Sequence, residues 1–190
     1  MLLNEFLNFC VRLTKETHLS HVVILTSNTL FLEKIYNNSK LKETSDFKLI
    51  DHLEYEVVKE WLKTKGFNEK EIDLIYNYLG GSATRVKKLL YHYKYFNSLK
   101  EYLEREVKIT TNEIRFFFES NKISKEEKEK FFFIAKEIIK NGFFDNSKYE
   151  GYLNIISKFC EAEILFFDPI EYKTYPNSKI YIKAFEKLVK

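Results

Sequence analysis

The chain has five glycines, Gly66, Gly80, Gly81, Gly142 and Gly151, and none is followed by lysine. A Walker A loop, G-x-x-x-x-G-K-[ST], needs a Gly-Lys step to bring backbone amides and an ammonium onto a triphosphate, so the sequence holds no such cradle. It holds no G-x-G-x-x-G either. His18 and His21 are spaced to share a helix face, but no Cys or His pair lies nearby to complete four zinc ligands. Two surface or helix-end imidazoles are the simpler reading. No Ser/His/Asp or Cys/His set sits in a nucleophile-elbow context, so covalent hydrolysis has no support. One feature of charge stands out: no acidic residue occurs between Asp73 and Glu101, while Arg85, Lys87, Lys88, Lys94 and Lys100 are all present. This is the most basic stretch of the chain.

With 190 residues, the chain fits one domain of ordinary size or two small ones, and can bury a core without covalent staples. Cys10 and Cys160 are its two cysteines, which excludes a disulfide scaffold and fits a reduced, cytoplasmic location. A content of 45% apolar and 31% charged residues is that of a globular chain. No apolar run approaches the roughly 20 residues of a membrane span, and no secretory segment follows Met1. The net charge is only +3, so contact with nucleic acid or membrane would have to come from local patches.

Any functional residue must be placed by the elements around it. Leu3, Phe6, Leu7, Cys10 and Val11 recur at helical spacing, and predict an amphipathic helix that starts without a cap. His21 to Thr26 is a β-branched run of the kind buried on both faces in a parallel sheet. It ends in Thr26-Ser27-Asn28, with Asn28 a fair N-cap for a following helix. Phe47 to Ile50 reads as a second strand. From Glu54 the pattern turns helical. Val57, Val58, Trp61 and Leu62 mark one helix; Asn68 with Glu71 is a capping-box start for the next, which Gly80-Gly81 closes. Val86, Leu89, Leu90 and Tyr93 form the buried stripe of a third, with Arg85, Lys88 and His92 on its other side. A long helix then runs to about Glu119. Ser124 with Glu127 caps a helix that Gly142 ends, and Lys148 to Cys160 makes another. Ile164 to Phe167 and Tyr172 to Tyr175 flank a turn as two strands, and Asn177-Ser178 caps a last helix. Helix, helix, hairpin, helix is the plan of a winged-helix domain, and the pattern alone fits a small α/β appendage equally.

Three segments together resemble a known family. The stretch from Asn4 to Leu41, "NEFLNFCVRLTKETHLSHVVILTSNTLFLEKIYNNSKL", resembles the region after the Walker B strand in the archaeal ATPase family, AAA+-like P-loop NTPases related to the STAND class. "IYNYLGGSATRVKKLL" resembles its lid segment, and "EILFFDPIEYKTYPNSKIYIKAF" its winged-helix end. The resemblance implies a mostly α fold with a little β, in three parts. Residues 1–53 would be a remnant of the P-loop core, 54–110 a helical lid, and 111–190 a winged-helix-like domain.

The resemblance also assigns roles. Thr26-Ser27-Asn28 sits where the family places its sensor-1 polar residue, and Asn28 is the candidate to hydrogen-bond a γ-phosphate and attacking water. Gly80 and Gly81 match a lid loop that approaches nucleotide in relatives, although Ser82-Ala83 follow here where a proline is usual. Arg85, one turn on, is the candidate sensor-2-like phosphate contact. Family members carry Walker A and Walker B upstream of the matched region. ATP and magnesium are therefore expected for intact members, and no cofactor for this chain alone. The expected function is that of the C-terminal part of an archaeal-type ATPase, unable to bind or hydrolyse ATP by itself. The alternative is a non-catalytic module docking on an intact paralogue, or on DNA through Arg85, Lys87, Lys88 and Lys94. An upstream-encoded half or a homodimer are the other partners to expect. DNA is disfavoured for the C-terminal domain, because residues 144–190 balance seven Lys against seven Asp or Glu.

Overall fold

The computed structural model describes residues 2–24 and 48–190. The chain divides into two compact units, Met1–Phe47 and Lys48–Lys190.

In the first unit helix α1 spans Leu2–Val11 and continues as a π-helical turn, Arg12–Glu16. Leu7 and Cys10 are its buried positions, as the helical spacing predicts, but Phe6 is 46% exposed. The expected strand from His21 is not formed in its described part. Residues 18–24 have no regular structure and Val23 is 81% exposed. The same holds for Lys48 to Ile50 of the second expected strand. A strand buried on both faces exists only beside neighbours that hydrogen-bond its backbone. Every described strand belongs to a separate antiparallel sheet in the second unit. Leu25 to Phe47, which include the rest of the first strand, the helix after it and Phe47, lie outside the described residues.

The second unit is built from helices α2 (Tyr55–Lys63), α3 (Glu69–Leu79), α4 (Ala83–His92), α5 (Leu99–Ser120), α6 (Lys125–Asn141), α7 (Leu153–Glu161) and α8 (Lys179–Leu188). Three short strands accompany them: β1 (Phe144–Asp145), β2 (Leu165–Asp168) and β3 (Lys173–Pro176). The helix starts follow the sequence signals. Asn68 and Glu71, and again Ser124 and Glu127, form reciprocal capping boxes, and Gly142 ends α6 in the left-handed conformation at φ +83°. In α2, Val58 and Leu62 are buried while Val57 is 48% exposed, so the core-facing stripe is narrower than the apolar residues alone suggest.

The helix expected from Lys148 begins only at Leu153. Asn146–Lys148 is a 3-10 turn and Gly151 has φ +80°. The rings of Tyr149 and Tyr152 pack on Phe144, with centroids 4.9 Å and 5.4 Å away, so aromatic burial sets the path that helix propensity alone would have continued. The sheet order is β1-β3-β2, all antiparallel. Strand β1 is two residues long, too short to show in a period-two pattern. The core centres on Phe131, stacked on Phe159 at 4.3 Å and met edge-on by Phe118 at 5.3 Å and Phe185 at 5.5 Å. These rings come from α5, α6, α7 and α8, and α5 runs unbroken across position 110. Helix α8 packs on α3, α5 and α6, and so ties the helices after Tyr55 to the C-terminal sheet.

Candidate functional site

The glycine pair lies at the centre of the candidate site. Helix α3 ends at Leu79, and Gly80 follows at φ +61°, ψ −149°, a region open essentially to glycine. Its amide donates to the Tyr76 carbonyl at 2.9 Å. Gly81 serves a different need. A Cβ there would lie 1.8 Å from the carbonyl oxygen of Leu53, and the Leu53 amide donates to the Gly81 carbonyl at 2.9 Å. A Cβ on Gly80 would meet Cβ of Lys179 at 3.0 Å. Glycine is therefore required at both positions so that two other segments can close in: the approach to α2 and the first turn of α8.

The same junction gathers side chains that sequence reasoning did not connect to it. The His52 ring nitrogen Nε2 lies 2.8 Å from the carbonyl oxygen of Asn177. The Lys179 ammonium lies 4.8 Å from the ring centre of Tyr76. Ser82 and Ser178, the residues preceding α4 and α8, are both buried, and neither side chain caps its helix. The Ser178 hydroxyl has no hydrogen-bond partner, in contrast to the cap predicted for it. The Gly-Gly pair was the signal for this approach, since consecutive glycines at a helix end commonly mark backbone contact. Nothing local in the sequence indicated that Leu53 and Lys179 would be the contacts.

Arg85 and Lys88 do not stand on a free cationic face. The Arg85 guanidinium lies 5.3 Å from the ring centre of Tyr181 in α8. Burial pushes the Tyr181 phenol up, and Arg85 opposes the shift by favouring the phenolate. The Lys88 ammonium donates to Glu106 of α5 at 2.9 Å, and the Glu106 side chain is 8% exposed. A carboxylate so enclosed needs its cation, and this pair pins α4 to α5. Two residues earlier on α5, Glu104 accepts from the Tyr78 hydroxyl at 2.6 Å, and Lys187 donates to its other oxygen at 3.1 Å. The hydrogen bond to Glu104 holds the Tyr78 phenol up at about 12, while the same bond draws the Glu104 carboxyl down. This chain of polar contacts links α3, α5 and α8 beside the aromatic core.

Thr26, Ser27 and Asn28, the sensor-1-like residues, lie outside the described residues. The fold thus brings Gly80, Gly81 and Arg85 near α8, and their relation to Asn28 is not part of the described structure. Among the described residues no group of three His, Cys, Asp or Glu side chains is disposed to hold a metal ion. A depression of about 390 Å³ is lined by Phe117, Asn121, Lys158, Glu161 and Ala162, and includes none of the expected site residues. No described helix is long and apolar enough to cross a membrane.

Against known proteins, residues 1–89 match a family described as an ATPase domain predominantly from Archaea. That match covers α1, the glycine junction and Arg85, and stops inside α4. An uncharacterized ATP-binding protein of Methanocaldococcus jannaschii is 38% identical over 177 residues, which is 93% of this chain and 52% of that protein. Another from the same organism is 34% identical over 93% of this chain and 52% of its own length. An uncharacterized ATP-binding protein of Pyrococcus abyssi is 29% identical over 99% of this chain and 53% of its own length. The chain spans about half the length of the curated relatives it matches. No solved structure matches. The Gly80-Gly81 junction therefore lies inside the matched segment, and over residues 1–89 this chain is similar to the archaeal ATPase family.

Proposed function

We propose that these 190 residues are the C-terminal part of an archaeal-type ATPase, a remnant of the P-loop core followed by a lid and a winged-helix-like domain, and that this polypeptide by itself neither binds nor hydrolyses ATP. The observation that carries the reading is chemical: no glycine in the chain is followed by lysine, so it holds no Walker A loop to cradle a triphosphate. The lid glycines support it. The side where a Cβ would stand faces the Lys179 side chain at Gly80 and the Leu53 backbone at Gly81, so both positions are engaged in contacts within the chain. The described residues offer no set of carboxylates suited to magnesium, and Arg85 is engaged with Tyr181. These contacts support the reading that the junction alone holds neither ATP nor its metal.

In this reading α2, α3 and α4 are the lid. The elements from α6 onward are the winged helix, supported by the helix–strand–helix–hairpin order and by β3 pairing between β1 and β2. The C-terminal residues 144–190 are electrically balanced, which suits protein contact better than a duplex. The test is titration calorimetry of the purified chain with ATP and magnesium. No heat of binding is expected, and saturable binding in the micromolar range overturns the proposal.

A second observation favours a partner that carries the missing loop. Phe9 is 56% and Val23 81% exposed in the first unit, and Ile50 is 79% exposed in the second. Each is an apolar side chain that contact with a partner chain would remove from water. The partner is an intact member of the same family, or a separately encoded P-loop half. Co-expression with an intact relative should give a complex that survives gel filtration. Separate elution of the two chains contradicts this second reading and leaves the first standing, and a concentration-dependent dimer of this chain alone replaces the partner with a second copy.

A further inference from the structure

Helix α4 and the 3-10 turn Tyr93–Tyr95 after it lie within the acid-free stretch between Asp73 and Glu101, and the fold sorts their side chains in two directions. Arg85 packs against Tyr181, and Lys88, although exposed, is paired with the buried Glu106 carboxylate. Tyr93 turns against Phe67, with ring centroids 5.1 Å apart. Lys87, Tyr91, Lys94 and Tyr95 are left outside. Tyr91 is 61% and Tyr95 74% exposed, and neither hydroxyl has a hydrogen-bond partner among the described residues. Lys87 and Tyr91 are four residues apart and share a helix face. The Lys94 ammonium lies 5.2 Å from the ring centre of Tyr95. Arg105, exposed on α5, adds a cation where the turn ends, with its guanidinium 5.2 Å from the ring centre of Phe96.

The result is a surface on which solvent-exposed phenol rings alternate with cations, one of which, Lys94, lies over a face of Tyr95. Of the carboxylates beside it, Glu106 is neutralised by Lys88, and Glu101, one turn before Arg105, accepts hydrogen bonds from the backbone and side-chain amides of Asn97. A ligand that satisfies both components must be a flexible polyanion that also carries flat, unstacked rings. Phosphates then meet Lys87, Lys94 and Arg105, and bases lie on Tyr91 and Tyr95. A duplex stacks its bases on one another and could use only the cations. An acidic polypeptide offers charge without the stacking faces.

We propose that the outer face of α4 and the turn Tyr93–Tyr95 binds single-stranded nucleic acid. The proposal involves no nucleotide cradle, and so stands apart from the ATPase reading. It also differs from the DNA contact expected through Arg85, Lys87, Lys88 and Lys94, because Arg85 is packed on Tyr181 and the charge of Lys88 is paired with Glu106.

The experiment is fluorescence anisotropy of the full chain with labelled oligothymidylate and oligouridylate of about 20 nucleotides. That length exceeds the roughly 4–16 nucleotides that small single-strand-binding folds occupy. A duplex of equal length and poly-glutamate serve as competitors. Both single strands should bind with an affinity that falls as salt rises, and should compete at least about tenfold better than duplex or poly-glutamate. The Tyr91→Ala/Tyr95→Ala variant should weaken binding about tenfold or more, since each stacked base contributes about 1–3 kcal/mol. Lys87→Glu/Lys94→Glu should abolish it, whereas Lys122→Glu/Lys140→Glu, both on exposed positions elsewhere, should leave it unchanged. Circular dichroism melts confirm that each variant is folded. No binding at low salt, equal competition by duplex or poly-glutamate, or an undiminished affinity in the tyrosine variant each overturns the proposal.

Discussion

At the scale of single residues, the two glycine environments make opposite demands and can be separated by substitution. Gly81→Ala would drive a methyl into the Leu53 carbonyl oxygen, 1.8 Å away, and that neighbour is backbone with little freedom to yield. Overpacking of this kind costs about 1–3 kcal/mol and at times more, so the melting temperature should fall by several degrees. Gly142→Ala meets nothing within 4 Å and is strained only by its φ of +83°, an effect of about 1 kcal/mol. Equal losses for the two, by thermal or urea unfolding, would show that the contact with Leu53 is not what requires Gly81. Glu127 makes a pH prediction. Lys158 donates to its carboxylate, and the Ser124 backbone amide donates to it at 2.8 Å, which together hold the carboxyl down at about 2. A group whose folded pKa is depressed contributes stability above the ordinary carboxylate range and loses it as pH falls toward the folded value. The melting temperature should therefore hold from neutral pH to about 5 and then drop between about 4.5 and 2. Glu104, also depressed, adds to the same drop. Glu127→Gln should make it shallower, and an unchanged pH profile would contradict the assignment.

At the scale of elements, local signals placed the helix starts and stops well wherever a cap settles unpaired amides. Asn68 with Glu71 and Ser124 with Glu127 both read as boxes in the sequence and are boxes in the fold. Ser124→Ala removes the acceptor for the Glu127 amide at 3.2 Å and should cost about 1 kcal/mol by chemical denaturation. Local signals failed where distant partners decide. The hydroxyl of Ser178 sits where a cap is expected and makes no such bond. The residues from Lys148 to Tyr152 could continue a helix on propensity, but the rings of Tyr149 and Tyr152 are held on Phe144 and Phe133 instead. The run His21 to Ile24 has the composition of a strand but no neighbour among the described residues to pair with, and a lone strand gains nothing from that composition.

At the scale of the whole molecule, the buried cluster that includes Val58, Ile114, Phe131 and Phe185 is contained in the second unit. A fragment of residues 48–190 should accordingly fold alone and melt in one cooperative transition, observed by circular dichroism or calorimetry. A broad, non-cooperative melt would mean that Met1–Phe47 supplies part of that core. This larger unit holds together because α8, the last helix, lies on α3, α5 and α6 and brings Lys179, Tyr181 and Lys187 to partners about 80 to 100 positions earlier.

The sequence by itself determined the helical periodicities, the two capping boxes, the C-terminal hairpin, the family resemblance and the lack of a phosphate loop. Each of these depends on residues within a few positions of one another, or on the absence of a contiguous motif. Only the tertiary structure decided that Gly81 faces Leu53, that Arg85 and Lys88 are spent on Tyr181 and Glu106, and that Tyr91 and Tyr95 are left in solvent. The physical reason is that side chains of one composition on one helix are told apart by what packs beside them. For α4 those neighbours arrive from α5 and α8, at sequence separations that no local pattern encodes.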